Sequence, residues 1–365
     1  MFLIVTRNFP PDVGGMQILM GGLSESLLDH GPVKVFAYEY PYSNTYDNNS
    51  SLNIERVKGI KLFRKYRKAN LVNDFMNTNS SIRAVFVDHW KSLELIKTEY
   101  LKKTKSFCLL HSKEINHEIG SSLNKRLIKS TDKADFIIAN SNFTKELAIK
   151  VGINSSKIHI IFPGIQKPKI VENISKIKAK KIFEESFPKI ITVARLDKRK
   201  GHDKILMLIK NLKPKFPKIK YVSVGSGEEE NNLLKLSKEL SLEKEVIFQK
   251  NIDSSLKIAL ISESNLFLMP TRIEKKSVEG FGISFVEAAS YGVASIGGKD
   301  GGASDAITHS KTGLICDGKD LNSIYDSVID FFQNEKFIQY GKNAKKFSEN
   351  FHWNTVIKNY LKLIN

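Results

Sequence analysis

The segment VEGFGISFVEAASYGVASIGGKDGGASDAI, residues 278–307, carries the clearest fold signal in this 365-residue chain. It follows a short apolar run, FLMPT (residues 267–271), and its helical pattern leads into another, GVASIGG (residues 292–298). A short apolar run, a glycine-containing loop, a helix and a second apolar run are typical of a β–α–β unit. The segment therefore predicts an α/β fold built on a parallel sheet.

The same alternation of short apolar and longer amphipathic runs extends along the whole chain and forms two series of strands. The first series contains MFLIVT (1–6), VKVFAYE (33–39), AVFVDH (84–89), SFCLLHS (106–112), DFIIANS (135–141) and IHIIFPG (158–164). The second contains KIITVARLD (189–197), KYVSVGSG (220–227), EVIFQKN (245–251), NLFLMPT (265–271), GVASIGG (292–298) and GLICD (313–317).

We predict two Rossmann-like domains that face each other across a deep cleft, in keeping with the length of the chain. The predicted N-terminal domain spans residues 1–167, and the predicted C-terminal domain spans residues 183–348. A polar, lysine-rich connector, residues 166–186, lies between them. Residues 349–365 form an amphipathic helix that we expect to pack back towards the N-terminal domain.

The chain has a net charge of +18, which suits nucleic acid, an anionic membrane or phosphorylated ligands. Compositional drift towards lysine explains the charge equally well. Residues 1–165 carry 23 basic and 15 acidic side chains and the remainder 34 and 24, so no single stripe stands out. This even spread, and the lack of aromatic–basic platforms or a helix-turn-helix pattern, disfavour a specific nucleic-acid partner.

Other features of the sequence bear on where the protein works. No apolar run is long enough for a membrane span, and the N-terminus has no basic leader or cleavage site. The two cysteines, Cys108 and Cys316, fit neither a zinc spacing nor a disulfide framework. We therefore expect a cytoplasmic protein.

The first candidate site lies in the opening segment. Glu279 precedes Gly280-Phe281-Gly282, where a helix is predicted to begin, and Glu287 follows about two turns into that helix. The first amides of a helix lack intrahelical partners and attract anions and hydroxyl groups. Two carboxylates at this spacing can hold two hydroxylated parts of one ligand. A helix cap and a solvated helix residue are the plainer alternative.

Two further motifs place charge at the carboxyl ends of predicted strands. In VARLDKRKG, Arg195 ends a strand and Lys200 precedes a helix, an arrangement suited to a diphosphate. A basic surface loop is the alternative. In HSKE, His111 ends a strand, where it is a candidate ligand contact or a structural histidine.

The glycine pair Gly14-Gly15 follows the first strand and precedes a helix, as in a phosphate-binding loop. It does not match the G-x-G-x-x-G pattern, which disfavours a nicotinamide-dependent dehydrogenase.

Together these strings resemble glycosyltransferase family 4, the retaining enzymes of GT-B fold among the group 1 glycosyltransferases. The resemblance runs nearly end to end, and it is carried by FPPDVGGMQ, HSKE, NSNFT, IIFPGI, VARLDKRKG, VGSG, EGFGISFVEAASYG and GGASDAI. The loop RIEKKSVEG and GGASDAI are most similar to bacterial mannosyltransferases. Three motifs differ from the residues usual in the family: FPGI, HSKE, and GGASDAI, in which Asp305 replaces a frequent glutamate.

The resemblance implies a role for each matching residue. Glu279 would hold the donor sugar, assisted by the amides of Gly280, Phe281 and Gly282, and Glu287 would bind the ribose hydroxyls. Arg195 and Lys200 would clamp the diphosphate. The remaining implied contacts are His111 to the donor sugar, and Gly15, Ile283 and Ser284 to the phosphates.

The implied activity is retaining transfer of a hexose, with mannose or glucose favoured, from a GDP-, UDP- or ADP-sugar to a glycolipid or polysaccharide acceptor. The chain contains no Asp-x-Asp pair, so we expect neither a metal nor any other cofactor. Arg195, Lys200 and helix amides can meet the charge of the leaving diphosphate instead. An epimerase-like relative that processes nucleotide sugars remains an alternative, as does a basic nucleic-acid-binding protein.

The segment IERVKGIKLFRKYRKANLV, residues 54–72, mixes basic with apolar and aromatic side chains. It predicts either a peripheral contact with an anionic membrane at its inner face, or a strand followed by a solvated basic helix.

Overall fold

The computed structural model describes residues 1–365, which form two compact units. The N-unit consists of residues 1–166 and 351–365, and the C-unit of residues 167–350. No helix combines the length and the hydropathy needed to cross a bilayer.

The N-unit is built on a parallel sheet of seven strands in the order β3-β2-β1-β4-β5-β6-β7. The strands are β1 (Phe2–Val5), β2 (Val33–Tyr38), β3 (Asn53–Val57), β4 (Ala84–Val87), β5 (Lys105–Leu110), β6 (Phe136–Ala139) and β7 (Ile158–Ile160). The strand order changes direction between β1 and β4, and ligands of open parallel sheets bind beside such a point, beyond the carboxyl ends of the strands.

Seven helices connect these strands: α1 (Gly15–Leu28), α2 (Ser43–Asn48), α3 (Arg64–Thr78), α4 (Trp90–Leu93), α5 (Thr98–Leu101), α6 (Ser122–Thr131) and α7 (Asn142–Lys150). Serine side chains cap two of them, because Ser121 Oγ accepts the amide of Asn124 and Ser141 Oγ accepts that of Thr144. A short 3₁₀ turn, Ser155–Lys157, precedes β7.

One strand, β3, is absent from the six apolar runs identified in this half of the chain, but the structure confirms the second interpretation of residues 54–72, a strand followed by a basic helix. β3 is the outermost strand of the sheet, and only Val57 in it is fully buried. A strand that packs against one neighbour needs no continuous apolar run, so its sequence carried little signal.

The C-unit has a parallel sheet of six strands in the order β10-β9-β8-β11-β12-β13. These are β8 (Lys189–Val193), β9 (Lys220–Val224), β10 (Val246–Gln249), β11 (Leu266–Met269), β12 (Ser295–Gly298) and β13 (Gly313–Cys316). The helices are α8 (Asn173–Phe183), α9 (His202–Leu212), α10 (Glu230–Glu239), α11 (Ser254–Ser262), α12 (Ile283–Ser290), α13 (Ala303–Ala306), α14 (Leu321–Phe332) and α15 (Lys336–Ser348).

Short 3₁₀ turns occur at Lys198–Lys200, Gln333–Glu335 and Glu349–Phe351. The lysine-rich stretch that we interpreted as a connector contains α8. Ser175, Ala179 and Phe183 recur four residues apart in it and are buried, and Ser255 Oγ of α11 donates to Glu172 Oε1 at 2.8 Å. The connector is therefore partly a packed helix of the C-unit.

The last helix, α16 (Trp353–Ile364), returns to the N-unit and completes its core. The ring of Tyr360 is buried, with its centroid 5.8 Å from that of Phe86 and 6.2 Å from that of Phe107. Backbone hydrogen bonds tie the entry of this helix to Ile165, whose amide donates to Phe351 O at 2.8 Å and whose carbonyl accepts the amide of Trp353 at 3.1 Å.

A buried polar chain crosses the C-unit sheet beneath α9. The buried His202 has Nε2 3.2 Å from the carbonyl oxygen of Arg195 and Nδ1 3.0 Å from Tyr221 Oη. Tyr221 Oη donates to Thr192 Oγ1 at 3.1 Å, and Thr192 Oγ1 donates to the carbonyl of Leu268. A carbonyl can only accept, so His202 Nε2 must carry a proton. Burial lowers the pKa of His202 to about 4, which leaves its ring neutral at pH 7.

This burial makes the stability of the C-unit depend on pH. Between pH 6.5 and 4, His202 gains a proton in the unfolded chain but not in the folded one. Its contribution to the free energy of unfolding is therefore complete above pH 6.5 and is lost as the pH falls. We expect the urea-unfolding free energy of the wild type to fall by about 2 kcal/mol more than that of His202→Gln from pH 7 to pH 5. His30→Gln, at an exposed histidine, is the matched control. An equal fall in the wild type and His202→Gln would contradict the assignment.

Candidate functional site

The two strongest sequence motifs meet at the carboxyl ends of adjacent strands of the C-unit. β8 pairs directly with β11. The loop after β8 carries Arg195 and Lys200, and the loop after β11 carries Glu279. Residues separated by about 80 positions in sequence are therefore brought together by strand pairing.

A cluster of one carboxylate and two cations forms where the loops meet. Arg199 Nη1 lies 2.7 Å from Glu279 Oε2, and Lys200 Nζ contacts the same oxygen. The Glu279 side chain is 12% exposed, and no protein group bonds its second oxygen, Oε1. Burial alone would raise the pKa of Glu279, but Lys200 and Arg199 outweigh it and hold the pKa below its usual value. Glu279 is therefore an anion with one oxygen available.

Arg195 lies at the end of the same loop and is exposed. Its side chain has no hydrogen bond or ion pair in the structure, whereas its backbone carbonyl is held by His202. The amide of Leu196 donates to Ser226 O at 3.0 Å, so the VGSG turn after β9 packs against this loop. The backbone at Arg195 is fixed, while its guanidinium is available to an anion.

The helix after Glu279 begins as predicted from the glycines. Gly282 takes a left-handed conformation, with φ of 90°, and Ile283 and Ser284 are the first residues of α12. Their amides belong to the first turn, which has no intrahelical acceptors. The buried Phe281 side chain anchors the loop, so that residue can offer only its backbone to a ligand.

The GGASDAI loop holds the Glu279 backbone from the other side. The amide of Gly302 donates to the carbonyl of Glu279 at 2.9 Å. A Cβ at Gly302 would lie 2.0 Å from the carbonyl oxygen of Gly280, so only glycine permits this approach. Glu287, further along α12, is 23% exposed, and its Oε1 lies 3.7 Å from Lys257 Nζ.

The remaining predicted site residues, Gly15 and His111, belong to the N-unit. Gly15 is the exposed first residue of α1, and His111 follows β5. His111 Nε2 lies 3.0 Å from the carbonyl oxygen of Asp88, and the His111 amide donates to Glu114 Oε1 at 2.6 Å. Both residues lie on the carboxyl-end rim of the N-unit sheet.

Several charged residues of both rims were not predicted. Arg199 lies within the run DKRKG, where nothing in the sequence separates the residue that reaches Glu279 from its basic neighbours. Asp88 follows β4 at the strand end, a position that could have indicated a role, and Lys68 reaches the same rim from α3. No group of three His, Cys, Asp or Glu side chains suited to a metal ion occurs in residues 1–365.

Comparison with known proteins identifies the C-unit. Residues 173–350 match the family model of glycosyl transferases group 1. Over 97% of this chain and 95% of its own length, a GDP-mannose-dependent alpha-(1-6)-phosphatidylinositol monomannoside mannosyltransferase of Mycobacterium tuberculosis is 23% identical. An uncharacterised glycosyltransferase of Methanocaldococcus jannaschii is 27% identical over 92% of this chain and 84% of its own.

Solved structures share the architecture. The crystal structure of Anabaena HepE in complex with UDP-glucose superposes with a TM-score of 0.81 at 16% identity, covering 99% of this chain and 98% of that one. Sucrose-phosphate synthase of Thermosynechococcus elongatus gives 0.81 at 17% identity, with the same coverage. The predicted GT-B fold is confirmed by these likenesses and by the two parallel sheets. The match of residues 173–350 and the relatives that span nearly the whole chain together show that this protein is a glycosyltransferase, with a C-unit of the group 1 family.

Proposed function

We propose that this protein is a retaining hexosyltransferase of family 4, which transfers mannose or glucose from a nucleoside diphosphate sugar to a glycolipid or polysaccharide acceptor without a metal ion. The observation that supports this most directly is Glu279, an anion held between two cations with Oε1 unbonded. A carboxylate oxygen so placed is a strong acceptor for a sugar hydroxyl. The relatives that use GDP-mannose and the neighbour that binds UDP-glucose favour these donors.

Glu279 binds the donor sugar in this proposal, and the backbone amides of Gly280, Phe281 and Gly282 assist it. Arg199 and Lys200 hold its carboxylate in one place, so little conformational entropy is lost when the sugar binds. Glu287 binds the ribose hydroxyls. Its contact with Lys257 is a partly exposed pair at 3.7 Å, which is weak enough for a ligand to replace.

The leaving diphosphate is stabilised by Arg195, Lys200 and the first amides of α12, at Ile283 and Ser284. Arg195 has no other side-chain partner, and its backbone is fixed by His202, so the guanidinium is available to the phosphates. Charge that is placed before the reaction stabilises the developing anion without reorganisation. Lys200 also contacts Glu279, and so it connects the sugar-binding and phosphate-binding halves of the site.

Transfer with retention occurs on one face of the sugar. The bond from the anomeric carbon to the diphosphate oxygen breaks, the acceptor oxygen bonds to the same face, and the acceptor's proton passes to the leaving diphosphate. Gly15 contributes a backbone contact to the phosphates. His111 contacts the donor sugar, and because Asp88 O accepts from its Nε2, Nδ1 is the ring nitrogen left for that contact.

A nucleotide-sugar panel tests this proposal. We expect at least one of the GDP-, UDP- or ADP-sugars to raise the melting temperature, and mass spectrometry to detect a glycosylated glycolipid or glycan. Stabilisation by none of them would contradict the proposal, and interconversion of the donor without transfer would favour the epimerase-like alternative.

Two variants test the site residues. Glu279→Gln should lower the transfer rate by about 10²-fold or more, since it removes the charged acceptor, whereas Glu274→Gln in the same loop should leave the rate unchanged. Because Glu279→Gln also leaves the buried Lys200 without its anionic partner, its folding must be checked. Arg195→Gln avoids this complication: the side chain has no protein contact, so nucleotide binding should weaken with the melting temperature unchanged. Wild-type transfer in a folded Glu279→Gln protein would remove Glu279 from the mechanism.

We further propose that the protein binds the cytoplasmic face of a membrane through residues 58–67. This stretch leads into α3, and it exposes four large apolar side chains between basic ones: Ile60 (70%), Leu62 (71%), Phe63 (55%) and Tyr66 (50%). Apolar side chains that enter the headgroup region and cations that attract anionic lipid are the two contributions to peripheral binding. Lys68, which the sequence placed on this surface, is buried and donates to Thr6 O instead.

Vesicle sedimentation tests the membrane contact. Reversing the exposed Lys58, Lys61 and Lys65 to glutamate should lower partitioning onto vesicles with anionic lipid by about 10²-fold or more, because each of the three lost charges is worth about 1 kcal/mol near the surface. The matched control reverses Lys125, Lys129 and Lys150, which are exposed elsewhere on the N-unit. Equal losses in both triple variants would show that only the overall charge matters, and unchanged binding in the first would exclude this surface.

A further inference from the structure

An unneutralised arginine lies on the carboxyl-end rim of the N-unit. Arg7 follows β1, next to the point where the strand order changes direction. Its side chain forms no hydrogen bond or ion pair, and its Nε is enclosed without a partner. An enclosed N–H group without an acceptor is costly, and a bound ion and a role in the site are among its explanations.

The backbone of Arg7 is fixed from both sides. Its amide donates to Asp88 Oδ2 at 2.8 Å, and its carbonyl accepts from Tyr40 Oη at 2.8 Å. These bonds join β1 to the ends of β2 and β4 without involving the guanidinium. The arginine is therefore anchored by its backbone and retains its side-chain donors.

The nearby carboxylates are already bonded to other groups. Asp88 accepts from Thr6 Oγ1 at 2.9 Å and from the Arg7 amide through Oδ2, and from Ser92 Oγ at 2.9 Å through Oδ1. Asp12 accepts from Gln17 Nε2 at 2.6 Å and from the amide of Val13. Glu114 accepts the His111 amide. None of the three forms an ion pair with Arg7.

Other cations increase the positive charge around Arg7. Lys68 is buried and donates to Thr6 O at 3.0 Å and to Ser92 Oγ at 3.1 Å. Burial lowers its pKa to about 8, against the opposing effect of Asp88. The pKa of Lys91 is lowered mainly by burial and next by the charge of Arg7. The same two causes, in the same order, lower the pKa of His89 well below its usual value. Arg7 therefore acts on several basic groups at once.

We infer that the rim around Arg7 binds an anionic group of the acceptor, a phosphate monoester or diester, with the Arg7 guanidinium as its main donor. This inference rests on the proposed function, since it assigns the anion to the acceptor. The planar guanidinium of arginine can donate to two phosphate oxygens at once. The positive charges of Lys91 and Lys68 favour a ligand that carries more than one negative charge. The carbonyl of Asp88 bonds His111, so the same residue organises this anion site and the predicted donor contact.

Arginine side-chain NMR can distinguish this site from the donor site. The chain has nine arginines, so ¹⁵N-arginine labelling gives nine Nε–Hε signals, and that of Arg7 is identified by its loss in Arg7→Lys. With a nucleoside diphosphate at saturation, we expect glycerol 3-phosphate to shift the Arg7 signal saturably and glycerol to leave it unchanged. Arg7→Lys should raise the dissociation constant for glycerol 3-phosphate about tenfold, and Arg67→Gln should not change it.

The two possible failures give different results. If the proposed function is wrong, nucleoside diphosphates leave the Arg195 signal unmoved, whatever Arg7 does. If this inference is wrong, glycerol 3-phosphate leaves Arg7 unmoved, or its affinity is the same in Arg7→Lys. A second titration uses micelles of short-chain phosphatidylglycerol. If the Arg7 signal reports a higher affinity for these micelles than for glycerol 3-phosphate, the bound phosphate is lipid-linked. If the two affinities are equal, the bound phosphate is soluble. No response of Arg7 to either probe overturns the inference.

Discussion

A buried carboxylate held between two cations organises the C-unit. Glu279 remains anionic because Lys200 and Arg199 offset the cost of its burial, and both cations are held in place by the same contact. Removal of Glu279 leaves the buried Lys200 without an anionic partner in a poorly solvated place, which costs about 3–5 kcal/mol. The loops after β8 and β11 are therefore locked to each other by charge, and the start of α12 is fixed with them.

The two units place polar groups at the same position of their sheets, but the charges there are paired differently. In each, polar groups gather beyond the carboxyl ends of two parallel strands where the strand order changes direction, β8 and β11 in one and β1 and β4 in the other. In the C-unit, the carboxylate reaches its cations directly. In the N-unit, Asp88 is bonded to hydroxyl and amide groups, so the guanidinium of Arg7 is not neutralised by contact. Each rim therefore keeps one arginine without a side-chain partner, Arg195 in the C-unit and Arg7 in the N-unit, but only the C-unit pairs a carboxylate with cations by direct contact.

Much of the fold and part of the site could be predicted from the sequence. Buried parallel strands show as apolar runs, and the glycines before α12 marked both its start and Glu279. The lysine-rich α8 was missed, and the edge strand β3 was only one of two interpretations of its segment, because partial burial leaves a weak apolar pattern. Arg199 and Lys68 were missed for another reason: each acts on a partner 62 to 80 residues away, and only strand pairing reveals such contacts.

The C-unit is nested inside the N-unit sequence. Residues 167–350 are contiguous, whereas the N-unit needs its last fifteen residues, 351–365, to seat α16 and Tyr360 in its core. During synthesis on the ribosome, every segment of the C-unit emerges before the N-unit has received its closing helix. The usual order, in which the N-terminal domain matures first, is thus reversed for the final step. Until residues 351–365 have been synthesised, the N-unit carries an uncovered apolar surface around Phe86 and Phe107, and a chain interrupted before them would keep it.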